Sequence, residues 1–452
     1  MGKTTCFLIA LLCLTCSFSS LLNRENIFTN FPTGNGKKSI LSIEDAIQTA
    51  FRNRRDLEAY IYAKRASKNS ERGALAGYFP QIQLSTNLAK TAPSILYDSN
   101  GLSQKFCPDT TSNRGVSFNF SQLIFDGGGP VLDYRIAKES TNVLRAEKRQ
   151  LKQSIKIGTV SSYLELQKIL LQKDFYHMRD KSSKLSFALN SGRRAVGQLS
   201  NTDWLSALSE YTSEQSAIAN YPFEIESAVS SLERELNEHI NPEQLDLSVE
   251  GIAAVELEPL DYYIMLSIKN RPDLEAQKYR VKQANLREKK YKRVYLPTVN
   301  IYAQASDVKL GRHNSNRTAS WSAGVELGWN FDGLGSAHTS RLYKNQKTQY
   351  LLQEKDLELQ IRNDVISAFF QTKKLINQLK AAQFDFERAQ SRLRSNETRF
   401  KIGSISQSDF AQVEVDYEQS RYSLDSLKID VRGSYQNLLF VCGYPKELQN
   451  HM

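Results

Sequence analysis

The chain has 452 residues, of which 24% are charged and only 11 are proline. Length alone allows two or three domains, but few prolines and many charges favour long solvated helices over a compact β-sandwich. The formal net charge is +10, yet Lys and Arg are interleaved with Asp and Glu along the whole chain. This pattern is typical of solvated helical faces and argues against nucleic acid as a partner.

The N-terminal residues differ in kind from the rest of the chain. Lys3 precedes an apolar run over residues 6–16, and small residues follow that run. This order is typical of a secretory signal peptide, which we assign to residues 1–19. The alternative, an anchor helix, needs about 20 apolar residues, and the run is too short. Thr15 before Cys16 makes a poor lipidation site, so we do not expect a lipidated N terminus.

Cysteines and apolar runs limit the remaining possibilities. Beyond the signal only Cys107 and Cys442 remain, so a disulfide framework is not expected. No later segment approaches the length of a membrane-spanning helix, and we expect none. An exported chain of this kind is either soluble or crosses an outer membrane as a β-barrel.

The most informative feature is a segment that the chain contains twice. Asn-Arg-Arg-Asp-Leu-Glu-Ala at residues 53–59 recurs as Asn-Arg-Pro-Asp-Leu-Glu-Ala at residues 270–276, a step of 217. Later anchors recur at a step of 206: Phe125, Asp126, Gly127, Gly197 and Asp203 as Phe331, Asp332, Gly333, Gly403 and Asp409. We therefore predict two tandem structural repeats.

Hydrophobic periodicity predicts the same order of elements in both repeats, which are divided by a linker at 241–259 and followed by a tail at 444–452. The first repeat, residues 20–240, is predicted to contain a helix at 41–77, strands at 79–90 and 115–125, and helices at 131–190 and 203–236. The second, residues 260–443, is predicted to contain a helix at 260–293, strands at 297–306 and 322–331, and helices at 338–395 and 409–441. A helix of roughly 60 residues is about 90 Å long, which exceeds an ordinary globular domain.

The two return helices carry an apolar residue at every seventh position, which predicts coiled-coil-like packing of helices side by side. These positions are Trp204, Tyr211, Ile218, Ile225 and Leu232 in the first repeat, and Phe410, Tyr417, Leu424, Val431 and Leu438 in the second. Pro222 has no counterpart in the second repeat and predicts a local kink.

The strands point to an assembly of several chains. Each repeat contributes two strands in which apolar and polar residues alternate over the length that crosses a tilted barrel wall, about nine to eleven residues. Four strands cannot close a barrel, and an open edge in hydrocarbon leaves backbone groups unsatisfied. Three copies with twelve strands are the smallest sensible closure.

Together these features resemble the TolC family of outer-membrane efflux channels. The resemblance spans Leu41 to Gly443 and rests on the tandem repeat, the two Asn-Arg-x-Asp-Leu-Glu-Ala segments, the Ser-Gln-Leu-Ile-Phe-Asp-Gly-Gly segment at 121–128 and the Val-Gly-(five residues)-Asp segment at 196–203. It implies a mixed, mainly α fold in a homotrimer, with a twelve-stranded β-barrel in outer-membrane lipid and a twelve-helix α-barrel tunnel across the periplasm of a Gram-negative-type bacterium. It also implies docking to a periplasmic adaptor (membrane fusion) protein and an inner-membrane transporter. The role would be the exit duct of a tripartite efflux pump or a type I secretion system, for small molecules or proteins.

The resemblance places a gate at the two helix-turn-helix tips. Thr202 and Asp203 match the family's tip motif in the first repeat, and Asp409 matches the acid of the second. A ring of three Asp409 carboxylates at a constriction would attract cations. The alternative is that Asp203 and Asp409 are simply helix N-caps, a position that favours Asp. Both can hold together.

Three tip positions depart from the family's pattern. Some members latch the tip with a Tyr and an Arg that face the first-repeat Asp, and here those positions are Phe400 and Ile405. A second acid, three residues after the ring Asp, is replaced by Gln412. The resemblance therefore implies a gate that is held less by ion pairs than in those relatives.

The tips also supply candidate contacts with the adaptor. The turns at Gly197 and Gly403 are assigned to adaptor docking together with four nearby basic residues, Arg193, Arg194, Arg399 and Lys401. The same basic side chains are candidates for contacts within the gate.

Glycines after the strands mark a second kind of junction. Asp126, Gly127 and Gly128, with Asp332 and Gly333, are interpreted as strand-to-helix hinges, since no Gly-Lys-Ser/Thr follows to make a phosphate loop. The five histidines show no metal-ligand spacing, and no nucleophile–base arrangement is visible. We expect no cofactor, no metal site and no enzyme.

Two other classes of protein remain as alternatives. A secreted coiled-coil scaffold or adhesin would explain the heptads, but it does not need the paired strands. A periplasmic helical-hairpin adaptor would have one hairpin and a compact β-domain, whereas this chain repeats one unit twice.

Overall fold

The structure, a computed structural model, describes residues 41–91, 95–97, 103–105, 111–242, 245–246, 257–310 and 316–445. The predicted signal peptide, most of the predicted linker, Cys107 and most of the predicted tail lie outside these residues.

Long helices make up most of the described chain. In order they are α1 (Ile43–Asn53), α2 (Arg55–Leu75), α3 (Gly129–Leu171), α4 (Lys173–Ala195), α5 (Asn201–Leu236), α6 (Leu260–Asn270), α7 (Pro272–Lys292), α8 (Gly335–Lys401) and α9 (Gln407–Val441). The strands are β1 (Gln81–Thr91), β2 (Ile95–Tyr97), β3 (Ser103–Lys105), β4 (Thr111–Phe125), β5 (Thr298–Leu310) and β6 (Asn316–Gly328).

Two helices that the sequence predicts as continuous are each broken at an arginine. The predicted helix at 41–77 is α1 and α2, separated at Arg54, and the one at 260–293 is α6 and α7, separated at Arg271. Both arginines have extended backbone, with ψ of 112° and 122°. Pro272 directly follows the second break, and the residue before a proline disfavours helical backbone. The first break forms without a proline.

The longest helices differ between the repeats. The predicted helix at 131–190 is α3 and α4, which meet at Gln172, a residue with helical φ and ψ of −72° and −12°. Its amide bonds the carbonyl of Ile169, so one turn is tightened and the direction of the chain continues. In the second repeat α8 runs unbroken for 67 residues, longer than the predicted 338–395. The α-helical assignment of α5 continues through Pro222.

The four long strands form one antiparallel sheet in the order β1-β4-β5-β6. β4, β5 and β6 extend further toward their connecting loops than the predicted 115–125, 297–306 and 322–331. β1 begins after Pro80, which lacks the amide hydrogen that a ladder requires. A small hairpin, β2 with β3, lies between the predicted strands at 79–90 and 115–125. Among the described strands, β1 and β6 each pair on one side only.

The helices pack in rows. Next to the sheet α2 packs on α3, α3 on α7, and α7 on the first half of α8. Toward the hairpin turns the order is α5, α4, α9 and α8, so α5 and α8 stand at the two ends of the row. This order places the second-repeat helix α9 directly against the first-repeat helices α3 and α4.

Two hydrophobic clusters lie where the short helices meet the rows. The first joins Ile43, Ala46 and Ala50 of α1 with Tyr163, Leu166, Leu232 and Leu236, and it includes Ile429 of α9. The second joins Tyr263 and Leu266 of α6 with Val365, Phe369, Leu438 and Leu439. Each repeat therefore has a hydrophobic cluster around the short helix that precedes its break, α1 in the first repeat and α6 in the second.

Candidate functional site

The sheet has two chemically distinct faces because its register aligns the alternating residues of all four strands. Ile82 lies opposite Phe120, and Ile301 lies opposite Val325. The apolar face carries Ile82, Leu84, Leu88, Val116, Phe118, Ile301, Trp321, Val325 and Leu327, all exposed. Trp321 is 81% exposed. No element of the described chain covers this face.

The opposite face is polar and almost free of charge. Ser85, Ser117, Ser306 and Ser320 form one row across the four strands. The Oγ atoms of the first pair are 2.6 Å apart, and those of the last pair are 2.8 Å apart. The next row consists of Gln83, Asn119, Gln304 and Ser322. Such a face suits contact with water.

Exposed aromatic residues border the end of the sheet from which the helices depart. They are Phe79 before β1, Phe125 at the end of β4, and Trp329 and Phe331 after β6. The ring of Phe331 stacks on Tyr295. Aromatic residues at strand ends are typical of membrane–water interfaces. Phe125 and Phe331 are anchors of the sequence repeat, but an interfacial role was predicted for none of the four, although their position at the strand ends is a usable signal.

The predicted hinge residues form the junctions between strand and helix. Asp126 Oδ1 accepts hydrogen bonds from the amides of Gly128 (3.0 Å) and Gly129 (2.8 Å), which caps α3. Gly127 and Gly128 have positive φ, and a Cβ on Gly127 would lie 2.9 Å from Leu296. These contacts make the first junction closely packed.

At the second junction the equivalent acid, Asp332, makes different hydrogen bonds. Asp332 Oδ2 accepts from the amide of Ser336 at 2.7 Å, and Tyr295 donates to Oδ1 at 3.3 Å. The hydrogen bonds from Ser336 hold the pKa of Asp332 below its ordinary value. Gly333 and Leu334 both have positive φ.

The two hairpin tips share one backbone geometry. Gly197 and Gly403 have φ of 75° and 72°. The amides of Gly197 and Gln198 bond the carbonyls of Arg194 and Arg193, at 3.0 and 2.8 Å. The amides of Gly403 and Ser404 bond those of Phe400 and Arg399, each at 2.9 Å. Both helices thus end in a left-handed glycine cap, whose φ favours glycine.

The tip acids hold the starts of the return helices. Ser200 and Ser406 are the N-cap residues, and Asp203 and Asp409 follow three residues later. Each serine hydroxyl donates to its aspartate at 2.7 Å and accepts from the aspartate's amide at 3.1 Å. The bond from the aspartate amide to the serine hydroxyl is one half of a capping box, and the aspartate carboxylate here accepts from the same hydroxyl. The alternative that these acids are the N-cap residues is therefore wrong. The N-caps are Ser200 and Ser406, three residues earlier.

Different aromatic contacts pin the two tips. In the first tip the Arg194 guanidinium lies over the Trp204 ring, 4.5 Å from its centre. At the matching place in the second tip, Phe400 stacks on Phe410 with ring centres 4.8 Å apart. The same pair of positions thus makes a cation–π contact in the first repeat and an aromatic stack in the second.

The remaining tip candidates make local contacts. Lys401 pairs with Glu397 at 2.6 Å, and Gln412 donates to Asp416 at 3.1 Å. Ile405 is half-buried, and Thr202 is exposed. Over the described residues, no hydrogen bond or ion pair joins residues 193–204 to residues 399–410. The predicted gate residues therefore make their contacts within their own hairpin, and the described structure shows no contact of this kind between the two hairpins.

The helix breaks contain interactions that the sequence reading missed. Arg54 bonds Asp56 (2.8 Å) and Glu235 (3.1 Å), and Arg271 bonds Asp273 (2.7 Å) and Asp364 (3.1 Å). Each arginine ties the helix after the break, α2 or α7, to a longer helix, α5 or α8. The Asn-Arg-x-Asp segment, present twice, was the available signal.

A left-handed residue packs against each break. Asn237, with φ of 52°, donates from Nδ2 to the Asn53 carbonyl at 3.3 Å. Gly443, with φ of 79°, lies so close that a Cβ would be 2.8 Å from the Asn270 carbonyl carbon. Neighbouring Cys442 is fully buried, and burial raises the pKa of its thiol to about 12.

No group of three or more His, Cys, Asp or Glu side chains among the described residues has an arrangement that would hold a metal ion. No described helix combines the length and apolar character of a membrane span.

The model of the outer membrane efflux protein family matches residues 46–238 and 264–443. The chain belongs to this family. The match covers both repeats and confirms the resemblance to TolC-type channels. Among curated proteins, none matches the chain significantly.

Solved structures of low sequence identity share the fold of this family member. A membrane protein from Pseudomonas aeruginosa has a TM-score of 0.71 at 15% identity, over 91% of this chain and 95% of that one. VceC from Vibrio cholerae has a TM-score of 0.69 at 15% identity, over 89% and 96%. The CmeC outer membrane channel of Campylobacter jejuni has a TM-score of 0.68 at 16% identity, over 92% and 93%.

Proposed function

We propose that three copies of this chain form an outer-membrane exit channel, with a twelve-stranded β-barrel continued by a barrel of helices across the periplasm. The observation that carries the proposal is the sheet, with one exposed apolar face, one polar face and, among the described strands, an unpaired edge on each side. In lipid, such a sheet satisfies its backbone only by closing with other sheets. The apolar face then contacts lipid and the polar face lines the pore.

The helical part continues the duct. The row of α5, α4, α9 and α8 supplies four helices per chain, so three chains supply a ring of twelve. The hairpin tips end this ring, where three Asp409 carboxylates narrow the entrance and attract cations. The capping contacts leave the carboxylates of Asp203 and Asp409 exposed, which suits a second role at the gate.

The proposed partners and cargo are those that the resemblance to TolC-type channels implies. A periplasmic adaptor docks at the turns of Gly197 and Gly403, through Arg193, Arg194, Arg399 and Lys401, and an inner-membrane transporter delivers the cargo. The cargo is small molecules or unfolded proteins in a tripartite pump or a type I secretion system. The glycine junctions at Gly127 and Gly333 act as hinges between barrel and helices. The duct performs no chemistry.

The scaffold or adhesin alternative fits the sheet less well. A secreted scaffold in water would expose the whole apolar face, and a large exposed apolar patch promotes association. A coiled-coil scaffold would also leave the paired strands unexplained.

The proposal is tested by single-channel conductance of the purified, detergent-extracted protein in planar bilayers, with its mass from light scattering. We expect a trimer with discrete, cation-selective openings. A soluble species without bilayer activity would support the scaffold instead.

A further inference from the structure

One chain already contains a contact between its two repeats. Where α3 of the first repeat meets α9 of the second, Lys168 Nζ lies 3.1 Å from Asp430 Oδ1. Burial alone would lower the pKa of Lys168, but the hydrogen bond to Asp430 holds it above its ordinary value. Beside this ion pair Leu164 and Ile429 are only 4% and 2% exposed, within one cluster. The side chain of Leu164 packs on Gly433 of α9, 3.3 Å from where a Cβ would stand.

The residues 206 positions away repeat this chemistry on the outside of the chain. Lys168 corresponds to Lys374 of α8, and Asp430 corresponds to Glu224 of α5. Leu164 and Ile429 correspond to Phe370 and Phe223. Their side chains are 54% and 69% exposed. Lys374 and Glu224 are exposed and have no ion-pair partner in the described part of the chain.

The step of 206 is supported by the helices themselves. α3 and α8 begin at Gly129 and Gly335, and α5 and α9 begin at Asn201 and Gln407, each 206 residues apart. The two sets of positions therefore occupy equivalent places on equivalent helices. The inner set packs within one chain, with its apolar pair buried and its ion pair half-buried, and the outer set lies on the two end helices of the row.

Net charge distinguishes the same two surfaces. α5 contains seven acidic residues and one basic residue, a net charge of −6. The second half of α8, residues 366–401, contains eight basic and three acidic residues, a net charge of +5. Opposite charges on two surfaces that are free in one chain favour contact between different copies.

We propose that the second half of α8 in one copy packs on α5 of the next copy, by the same contact that joins α3 to α9 within each chain. Lys374 pairs with Glu224 of the neighbour, and Phe370 packs beside Phe223 and Ser227 of the neighbour. The contact is head-to-tail, so it repeats from copy to copy until the ring closes. This inference rests on the proposed trimer and names the surface that holds its periplasmic half together.

Charge reversal tests the ion pair. Lys374→Glu and Glu224→Lys are each expected to lower the trimer fraction in light scattering, and added salt is expected to recover part of that fraction, because salt screens the like-charge repulsion that each reversal creates. The double variant, Lys374→Glu with Glu224→Lys, restores the pair with reversed polarity and is expected to recover the trimer. Lys289→Glu is the control, since Lys289 is exposed on α7, which has neighbours on both sides. Single reversals that leave the trimer unchanged, or a double variant weaker than either single, overturn the proposal.

A cross-link separates this proposal from the trimer itself. Phe370→Cys with Ser227→Cys, in a Cys107→Ser background, is expected to join chains through a short bis-maleimide into species of two and three chain masses. Either cysteine alone should give none, because position 370 faces position 227 and not itself. A protein that remains trimeric but yields no cross-link would refute the proposed contact between α8 and α5 and would leave the proposed trimer standing. A wild-type chain that is monomeric in detergent refutes both.

Discussion

At the residue scale, the second helix break depends on one backbone position. Gly443 has φ of 79° and lies directly against the carbonyl of Asn270. Its counterpart in the first repeat, Asn237, reaches the same place with a side-chain hydrogen bond to Asn53. Asn tolerates left-handed backbone, whereas only Gly also leaves room for the close approach.

We therefore expect Gly443→Ala to lower the free energy of unfolding by about 2 to 5 kcal/mol, from left-handed strain plus overpacking. The measurement is thermal or denaturant unfolding of the detergent-solubilised protein. Gly192→Ala is the matched control, because Gly192 lies in α4 with open space around its Cβ position. Alanine there should be neutral or stabilising by up to about 1 kcal/mol. Equal effects of the two variants would refute the role of Gly443.

A second residue-scale prediction concerns Asp203. Its structural contacts are confined to Ser200 and the start of α5. Loss of a first-turn acid costs about 0.3 to 1 kcal/mol, and neither Phe400 nor Ile405 offers it a charged partner. We expect Asp203→Ala to leave the conductance of the closed channel nearly unchanged in planar bilayers. The corresponding Asp409→Ala should mainly reduce cation selectivity. Strong opening by Asp203→Ala would show that this gate does depend on an ion-pair latch.

At the element scale, the helix breaks show a proline and an ion pair acting at one place. Both repeats break after the asparagine of the repeated segment, but only the second has a proline there. The features common to both are the arginine and its two carboxylates. The arginine contacts, rather than the proline, are therefore the shared cause.

This predicts different effects for two neighbouring substitutions. Arg271→Ala leaves half-buried Asp273 without its cation and should cost about 2 kcal/mol, a typical value for a hydrogen bond to a charged group. Pro272→Ala should cost less than about 1 kcal/mol, because Arg55 fills that position in the first repeat without loss of the break. Unfolding midpoints of the two purified variants compare them directly. A larger loss from the proline variant would assign the break to Pro272.

At the scale of the whole molecule, the sheet is the element that the chain cannot complete alone. Its apolar face is uncovered and its two edges are unpaired within the described residues. The helical row has the same property, since α5 and α8 end it with exposed phenylalanines and opposite net charges. Both parts of the chain therefore favour association with further copies.

Adjacent residues of β1 test which face meets lipid. Leu84 lies on the apolar face opposite Phe118, and Gln83 lies on the polar face opposite Asn119. Leu84→Arg should cost up to about 2 to 4 kcal/mol on a lipid-facing surface, and Gln83→Arg should be tolerated in a water-filled pore. The yield of membrane-extracted trimer measures both. Equal yields would contradict the assignment of the faces.

The sequence by itself determined the elements, because hydrophobic period, strand alternation and the twofold segment are local properties. It gave the positions of the four strands, the long helices and the glycine turns, and its motifs identified the family. It did not determine the breaks at Arg54 and Arg271, since α2 and α7 have helical composition and each arginine also needs a carboxylate far along the chain, Glu235 or Asp364. It likewise did not show that Ser200 and Ser406, rather than the acids, cap the return helices. Only the tertiary structure decided which copy of a repeated residue is buried: Leu164 and Ile429 meet inside the chain, while Phe370 and Phe223, equally apolar, are left on its two open sides.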